Sequence, residues 1–227
     1  MKVERYSSFA GRAPLMFITH RTSAYTELDE VKMVSEGGCA WIQLRMKDRL
    51  DPETAGQVSG YLKHHSSPEC VCCIDDDVTI ALQAGAGAVH LGKQDMPVSE
   101  ACRIAASWQE EGHFHIGATA NTFEDIVHAD REGASYIGLG PFRFTETKKK
   151  LSPVLGLEGY RRIMRQCREA GLRIPVFAIG GICLEDIGPL METGITGIAV
   201  SGAIIRADDP VAETRRFIDE LNKYKTI

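Results

Sequence analysis

Eight short apolar runs punctuate the chain, at 15–19, 41–44, 70–74, 88–91, 114–117, 136–139, 176–179 and 198–200, with helical patterning between them. Short strands alternating with helices read as βα units around a parallel sheet, because parallel neighbours need a crossover connection. An internal repeat points to closure. Gly37-Gly38-Cys39-Ala40 leads into Trp41, Gly85-Ala86-Gly87-Ala88 into Val89, Gly133-Ala134-Ser135 into Tyr136, and Gly194-Ile195-Thr196-Gly197 into Ile198. The first three glycines stand 48 residues apart and the last gap is 61, so each period holds two βα units and the longer one predicts an enlarged connection over 141–156. The leading glycines suit the position after a helix end, where φ is positive. The expected fold is α/β, a single (β/α)8 TIM barrel over residues 1–227 with 1–13 as an N-terminal extension.

Length and charge narrow the function. A chain of 227 residues suits one such barrel, and a net charge of −5 argues against non-specific nucleic-acid binding. The first 14 residues are polar without an apolar core, and no apolar run approaches the ~20 residues of a membrane span, so a cytoplasmic protein is expected. Seven cysteines without framework spacing fit reduced thiols. Cys70, Cys72 and Cys73 read as small core residues of a strand, since no second Cys/His pair follows at zinc-site spacing. Helix starts are marked by Asp51-Pro52 and by Thr122 with Asp125.

In barrels of this kind the chemistry gathers at the C-terminal strand ends. The second strand ends in Gln43, Arg45 and Lys47, whose alternate spacing puts two cations and an amide on one face. The third ends in Asp75-Asp76-Asp77 and the fourth in His90-Leu91-Gly92-Lys93-Gln94-Asp95. Asp76 and Asp95 can meet over one hard cation such as Mg²⁺, with helix capping as the competing role for Asp76 or Asp77. Thr119 and Thr122 follow the fifth strand and suit substrate contact or capping. After the sixth come Thr145, Thr147 and Lys148 in the longest loop, a pattern that suits a phosphate clamp. Gly180-Gly181 and Ser201-Gly202 end the last two strands, where backbone N–H groups can approach an anion. Two anion pockets are therefore expected, and no serine or cysteine triad stands out. His90 reads as structural.

These segments, in order, resemble the thiamine phosphate synthase family: Gln43-Leu44-Arg45-Met46-Lys47, Asp76-Asp77-Val78, Val89-His90-Leu91-Gly92 with Asp95, Tyr136 to Pro141, Thr145-Glu146-Thr147-Lys148, Ala178 to Ile182, and Ala199 to Ile204. The resemblance spans nearly the whole chain. It implies a transferase that couples hydroxymethylpyrimidine diphosphate with thiazole phosphate, giving thiamine monophosphate and pyrophosphate by an Mg²⁺-assisted dissociative substitution. By the same match Gln43, Arg45, Lys47, Asp75, Thr119 and Lys148 would hold the pyrimidine diphosphate, with Arg45, Lys47 and Lys148 the catalytic cations. Thr145, Thr147, Gly181, Ser201 and Gly202 would hold the thiazole phosphate, and Asp76 and Asp95 the Mg²⁺. The implied partners are small phosphorylated molecules, with no nucleic acid and no membrane; a homodimer stays open.

Four positions, in three segments, depart from the family pattern: Asp75 for the usual Asn, Lys93-Gln94 for Gln-Glu, and Asn121 for a common His. Three other readings share the barrel: an aminothiazole tautomerase, a non-catalytic ligand-binding regulator, and a sugar-phosphate isomerase, which would want a Glu or His base at a strand end, where His90 is the only candidate. The tautomerase's useful His is Asn121 here. A regulator has no need of two carboxylates and a lysine suited to a leaving group.

Overall fold

Parallel pairing runs without a break around a ring of eight strands in the computed structural model, which describes residues 1–3, 15–46, 50–67, 69–109, 112–144 and 153–224. The elements are β1 (Lys2–Val3), β2 (Leu15–Ile18), α1 (Glu27–Glu36), β3 (Trp41–Leu44), α2 (Pro52–His65), β4 (Val71–Asp75), α3 (Val78–Gln83), β5 (Ala88–Leu91), α4 (Val98–Ser107), β6 (His113–Ala120), α5 (Phe123–Glu132), β7 (Tyr136–Leu139), α6 (Gly156–Glu169), β8 (Val176–Ile179), α7 (Ile187–Met191), β9 (Gly197–Val200), α8 (Gly202–Ile205) and α9 (Pro210–Asn222). Strands β2 to β9 pair in sequence, and β9 returns to β2 through Leu15, Met16 and Phe17. The expected eight-stranded α/β barrel is what forms. The connection from β7 to α6 is the longest between a barrel strand and its helix, as the stretched repeat predicts.

Strand alternation divides the apolar residues into two layers. Outward-facing Phe17, Ile42, Ile74, Val89 and Ile137 pack beneath the helices, while Met16, Ile18, Trp41, Cys73, Tyr136 and Phe177 fill the barrel. Tyr136 sits at the centre of the inner group, with edge contacts to Trp41 at 5.2 Å and Phe177 at 5.8 Å between ring centroids. Cys72 and Cys73 are buried strand residues and Cys70 is half-buried, as expected for thiols used as small core side chains.

One local reading needs correction. Gly85, Gly133 and Gly194 have positive φ as expected, but Gly37 has φ −66° and the left-handed residue is Gly38 at 94°. Gly37 instead admits α9: a Cβ there would lie 2.5 Å from Thr214 Cβ. The structure also adds β1, which the sequence does not signal. Within the N-terminal stretch, Lys2 and Val3 form a ninth strand on His113 and Phe114, and the Met1 amino group donates to Trp108 O at 3.0 Å. No helix among the described residues is long and apolar enough to cross a membrane.

Candidate functional site

The C-terminal rim of β3 and β4 carries a buried polar cluster. Gln43 and Asp75 are only 4% and 7% exposed, and Gln43 Nε2 donates to Asp75 Oδ1 at 2.5 Å. Arg45 Nε lies 3.6 Å from Asp75 Oδ2. The Arg45 backbone is fixed by Thr19, whose Oγ1 accepts from Arg45 N at 2.8 Å and donates to Arg45 O at 3.0 Å. Arg45 Nη1 is buried and meets no acceptor among the described residues. A buried guanidinium donor left unpaired is costly, and an oxyanion is its natural complement. Lys47, the third member of the predicted face, lies outside the described residues.

The three consecutive aspartates separate into three environments. Asp75 points into the barrel towards Gln43 and Arg45. Asp77 caps α3, accepting from Ile80 N at 2.9 Å, so the capping role belongs to Asp77. Asp76 between them has φ 70°, in the left-handed region that few non-glycine residues adopt. Its N–H donates to His90 O at 2.9 Å, which binds this strained turn to the end of β5. There Asp95 Oδ2 accepts from Gly92 N at 2.6 Å. Asp76 and Asp95 thus stand on adjacent, hydrogen-bonded strand ends. Among the described residues no group of three or more His, Cys, Asp or Glu side chains converges as a metal cage. Two carboxylates from neighbouring strand ends fit Mg²⁺, which takes one or two protein oxygens and leaves its other positions to substrate phosphate and water.

Below this rim runs a chain of polar contacts that sequence reasoning missed. His90 Nε2 lies 3.1 Å from Thr119 Oγ1, and its Nδ1 lies 3.2 Å from Tyr136 OH, which in turn is 3.5 Å from Cys73 Sγ. Burial pushes the Tyr136 phenol and the Cys73 thiol well above their usual pKa values, so both stay protonated. His90 fits because two neighbouring strands give it room. A Cβ on Gly117 would lie 2.6 Å from His90 Nδ1 and 2.2 Å from Tyr136 Cζ, and one on Gly138 would lie 3.0 Å from His90 Cε1. Glycine within a strand marks such close approach, and that was the available signal. Thr119 therefore faces the barrel mouth, while Thr122 caps α5 in a reciprocal box with Asp125.

The opposite side of the mouth is built from the loops after β8 and β9. Gly180 and Gly181 have φ values of 102° and 67°. They also admit the β7–α6 connection: a Cβ on Gly180 would lie 2.8 Å from Pro141 Cβ, and one on Gly181 2.6 Å from Arg143 Cγ. Ser201 precedes α8, and its Oγ is buried with no partner among the described residues. Gly202 begins α8. Arg143 was not singled out by its sequence context. It pairs with Asp186 through two bonds, Nη1 to Oδ2 at 2.5 Å and Nη2 to Oδ1 at 2.8 Å, and stacks on Phe142 at 4.8 Å from the ring centroid. Thr145, Thr147 and Lys148 lie outside the described residues.

The remaining two departures from the family pattern are each absorbed locally. Lys93 Nζ pairs with Asp125 Oδ2 at 2.5 Å, and the same oxygen accepts from Asn121 N at 2.8 Å. Asn121 Nδ2 donates to Gly140 O at 2.5 Å, across the gap between β6 and β7.

The family model described as thiamine monophosphate synthase matches residues 15–204. A thiamine-phosphate synthase of Bacteroides fragilis is 52% identical over 206 residues, 90% of this chain and 98% of that protein. One from Flavobacterium johnsoniae is 41% identical over 212 residues, 92% of this chain and 94% of that one. Among solved structures, a thiamine phosphate pyrophosphorylase from Pyrococcus furiosus superposes with a TM-score of 0.79 at 30% identity, covering 94% of this chain and 98% of that one.

Proposed function

Because the chain belongs to the thiamine monophosphate synthase family, we propose that it is a transferase that joins hydroxymethylpyrimidine diphosphate to thiazole phosphate, releasing pyrophosphate and forming thiamine monophosphate. The carbon–oxygen bond to the diphosphate breaks with its electron pair leaving on pyrophosphate. The thiazole nitrogen supplies the pair for the new carbon–nitrogen bond. Such a path asks the protein for positioning and charge stabilisation rather than a nucleophile.

The observation that carries this reading is the Gln43–Asp75–Arg45 cluster with its buried Arg45 Nη1, which has no partner among the described residues. Arg45, with Lys47 and Lys148, holds the diphosphate and stabilises the charge of the leaving group. Gln43, Asp75 and Thr119 hold the pyrimidine end, and the Asp75 carboxylate can accept from an exocyclic amine. Asp75 also offsets the positive charge of Arg45, so its replacement of Asn does not leave an isolated anion. Thr145, Thr147, Gly181, Ser201 and Gly202 hold the thiazole phosphate, a role supported for Ser201 by its buried hydroxyl, which has no partner among the described residues. Asp76 and Asp95 hold Mg²⁺, which when bound neutralises part of the diphosphate charge. The whole chain acts as one barrel unit with its N-terminal extension, working in the cytoplasm.

Incubating the purified chain with both precursors and Mg²⁺ tests the assignment. Thiamine monophosphate and pyrophosphate should form in equal amounts. A folded protein that forms neither would favour a tautomerase or a ligand-binding regulator on the same barrel.

A further inference from the structure

We propose that Arg143 is a positioning residue for the thiazole-phosphate side of the site, holding the Gly180-Gly181 turn so that its N–H groups face away from Arg143 and are free for an anion. The inference rests on the functional reading above, which assigns that turn to the phosphate.

Two carbonyls of the turn are held by this one residue. Arg143 N donates to Gly180 O at 3.0 Å, and Arg143 Nη1 donates to Gly181 O at 2.7 Å. In a trans peptide the N–H points opposite to the C=O. Holding the carbonyls of 180 and 181 therefore turns the N–H groups of Gly181 and Ile182 away from Arg143. Neither N–H donates to a backbone or side-chain acceptor among the described residues. Adjacent N–H groups free to converge make an anion-binding concavity.

Arg143 is itself held in place. Asp186 takes both guanidinium nitrogens, and its Oδ2 also accepts from Cys183 N at 2.8 Å. The same carboxylate thus orients the arginine and fixes the far end of the turn. The base of the β7–α6 connection is tied down as well. Phe142 N donates to Ile179 O at 2.8 Å, and Leu155 N to Pro141 O at 2.9 Å. A planar guanidinium can serve Asp186 and Gly181 together, which a lysine ammonium cannot match in geometry. Glycine is needed at 181 for the same reason, since Arg143 Cγ occupies the space of a side chain.

The test separates the two substrates. R143M takes the guanidinium from the buried Asp186 carboxylate, which keeps its bond from Cys183 N, so the variant should fold with a thermal midpoint lowered by about 3–8 °C. Its KM for thiazole phosphate should rise about tenfold, the effect of weakened hydrogen bonds to a charged group, with the KM for pyrimidine diphosphate within about twofold. R143K should recover part of the loss. Calorimetric titration of thiazole phosphate into wild type and R143M should show the same weakening without turnover. Equal rises in both KM values, or unchanged binding of thiazole phosphate, would overturn the positioning role. A wild-type protein that binds thiazole phosphate but does not couple it would sink the proposed reaction and leave this role standing. A wild type that does not bind it at all would remove both.

Discussion

Gln43 and Asp75 face each other from adjacent strands, with the amide nitrogen 2.5 Å from a carboxylate oxygen and both side chains closed off from water. The amide is thereby oriented, and the second carboxylate oxygen is turned towards Arg45. Asp75→Ala removes the acceptor of the buried Gln43 amide and the ion-pair partner of Arg45. A loss of about 1–3 kcal/mol follows, or roughly a 5- to 160-fold drop in kcat/KM for pyrimidine diphosphate. Asp75→Asn keeps an acceptor for Gln43 and should stay within about fivefold of wild type. Steady-state kinetics on the two variants check this, and equal losses would show that charge rather than hydrogen bonding is what matters.

Asp95 accepts from Gly92 N at 2.6 Å, so its removal has a structural and an ionic consequence. Asp95→Asn retains the acceptor and removes the charge. Both Asp95→Asn and Asp95→Ala should raise the Mg²⁺ concentration needed for half-maximal rate by about tenfold or more. Chelation should abolish wild-type activity and added Mg²⁺ restore it. An unchanged Mg²⁺ dependence in Asp95→Asn would remove this residue from the metal site.

Gly117 leaves the space that His90 and Tyr136 fill. Gly117→Ala puts a methyl group 2.2 Å from Tyr136 Cζ and should destabilise by about 1–3 kcal/mol, lowering the thermal midpoint by roughly 3–10 °C. Gly60, in α2, has nothing within 4 Å of a new Cβ. Gly60→Ala should therefore stabilise, by about 0.5–1 kcal/mol, through helix propensity. Thermal unfolding of the pair reads opposite signs.

Glu30 is fully buried in α1, accepts from His20 N at 2.7 Å, and has its other carboxylate oxygen unpaired among the described residues. Burial raises its pKa to about 7 from 4.5, against the opposing pull of the His20 hydrogen bond. The folded state therefore holds a proton that the unfolded chain has lost between these values. The associated stability is fully present below pH 4.5 and is lost as pH rises to about 7, by on the order of 2–3 kcal/mol. Glu30→Gln should remove this slope. Thermal midpoints measured between pH 5 and 8 decide the matter; a slope that persists in the variant would assign it to another group.

The barrel and most of its rim were legible in the order of residues. Hydrophobic periodicity and strand-entry glycines are local properties, the first recurring in each βα unit and the second in every other one, so eight strands and their helices follow from the chain alone. The strand-end rule then brings Gln43, Arg45, Asp76, Asp95, Gly181 and Ser201 to one face without any knowledge of their contacts. Gly37 was misread for the opposite reason. Its requirement comes from Thr214, far along the chain, rather than from its own backbone.

What the sequence by itself determined is the architecture, the rim residues and the family, because these depend on patterns within about 50 residues and on ordered motifs. Only the tertiary structure decided the partners: Asp75 with Gln43 across 32 positions, Arg143 with Asp186 across 43, and His90 with Tyr136 across 46. Such pairings arise where closure of the barrel brings together side chains that share no local period. Hydrogen bonds act over about 3 Å, and the sequence order of the chain does not encode that distance.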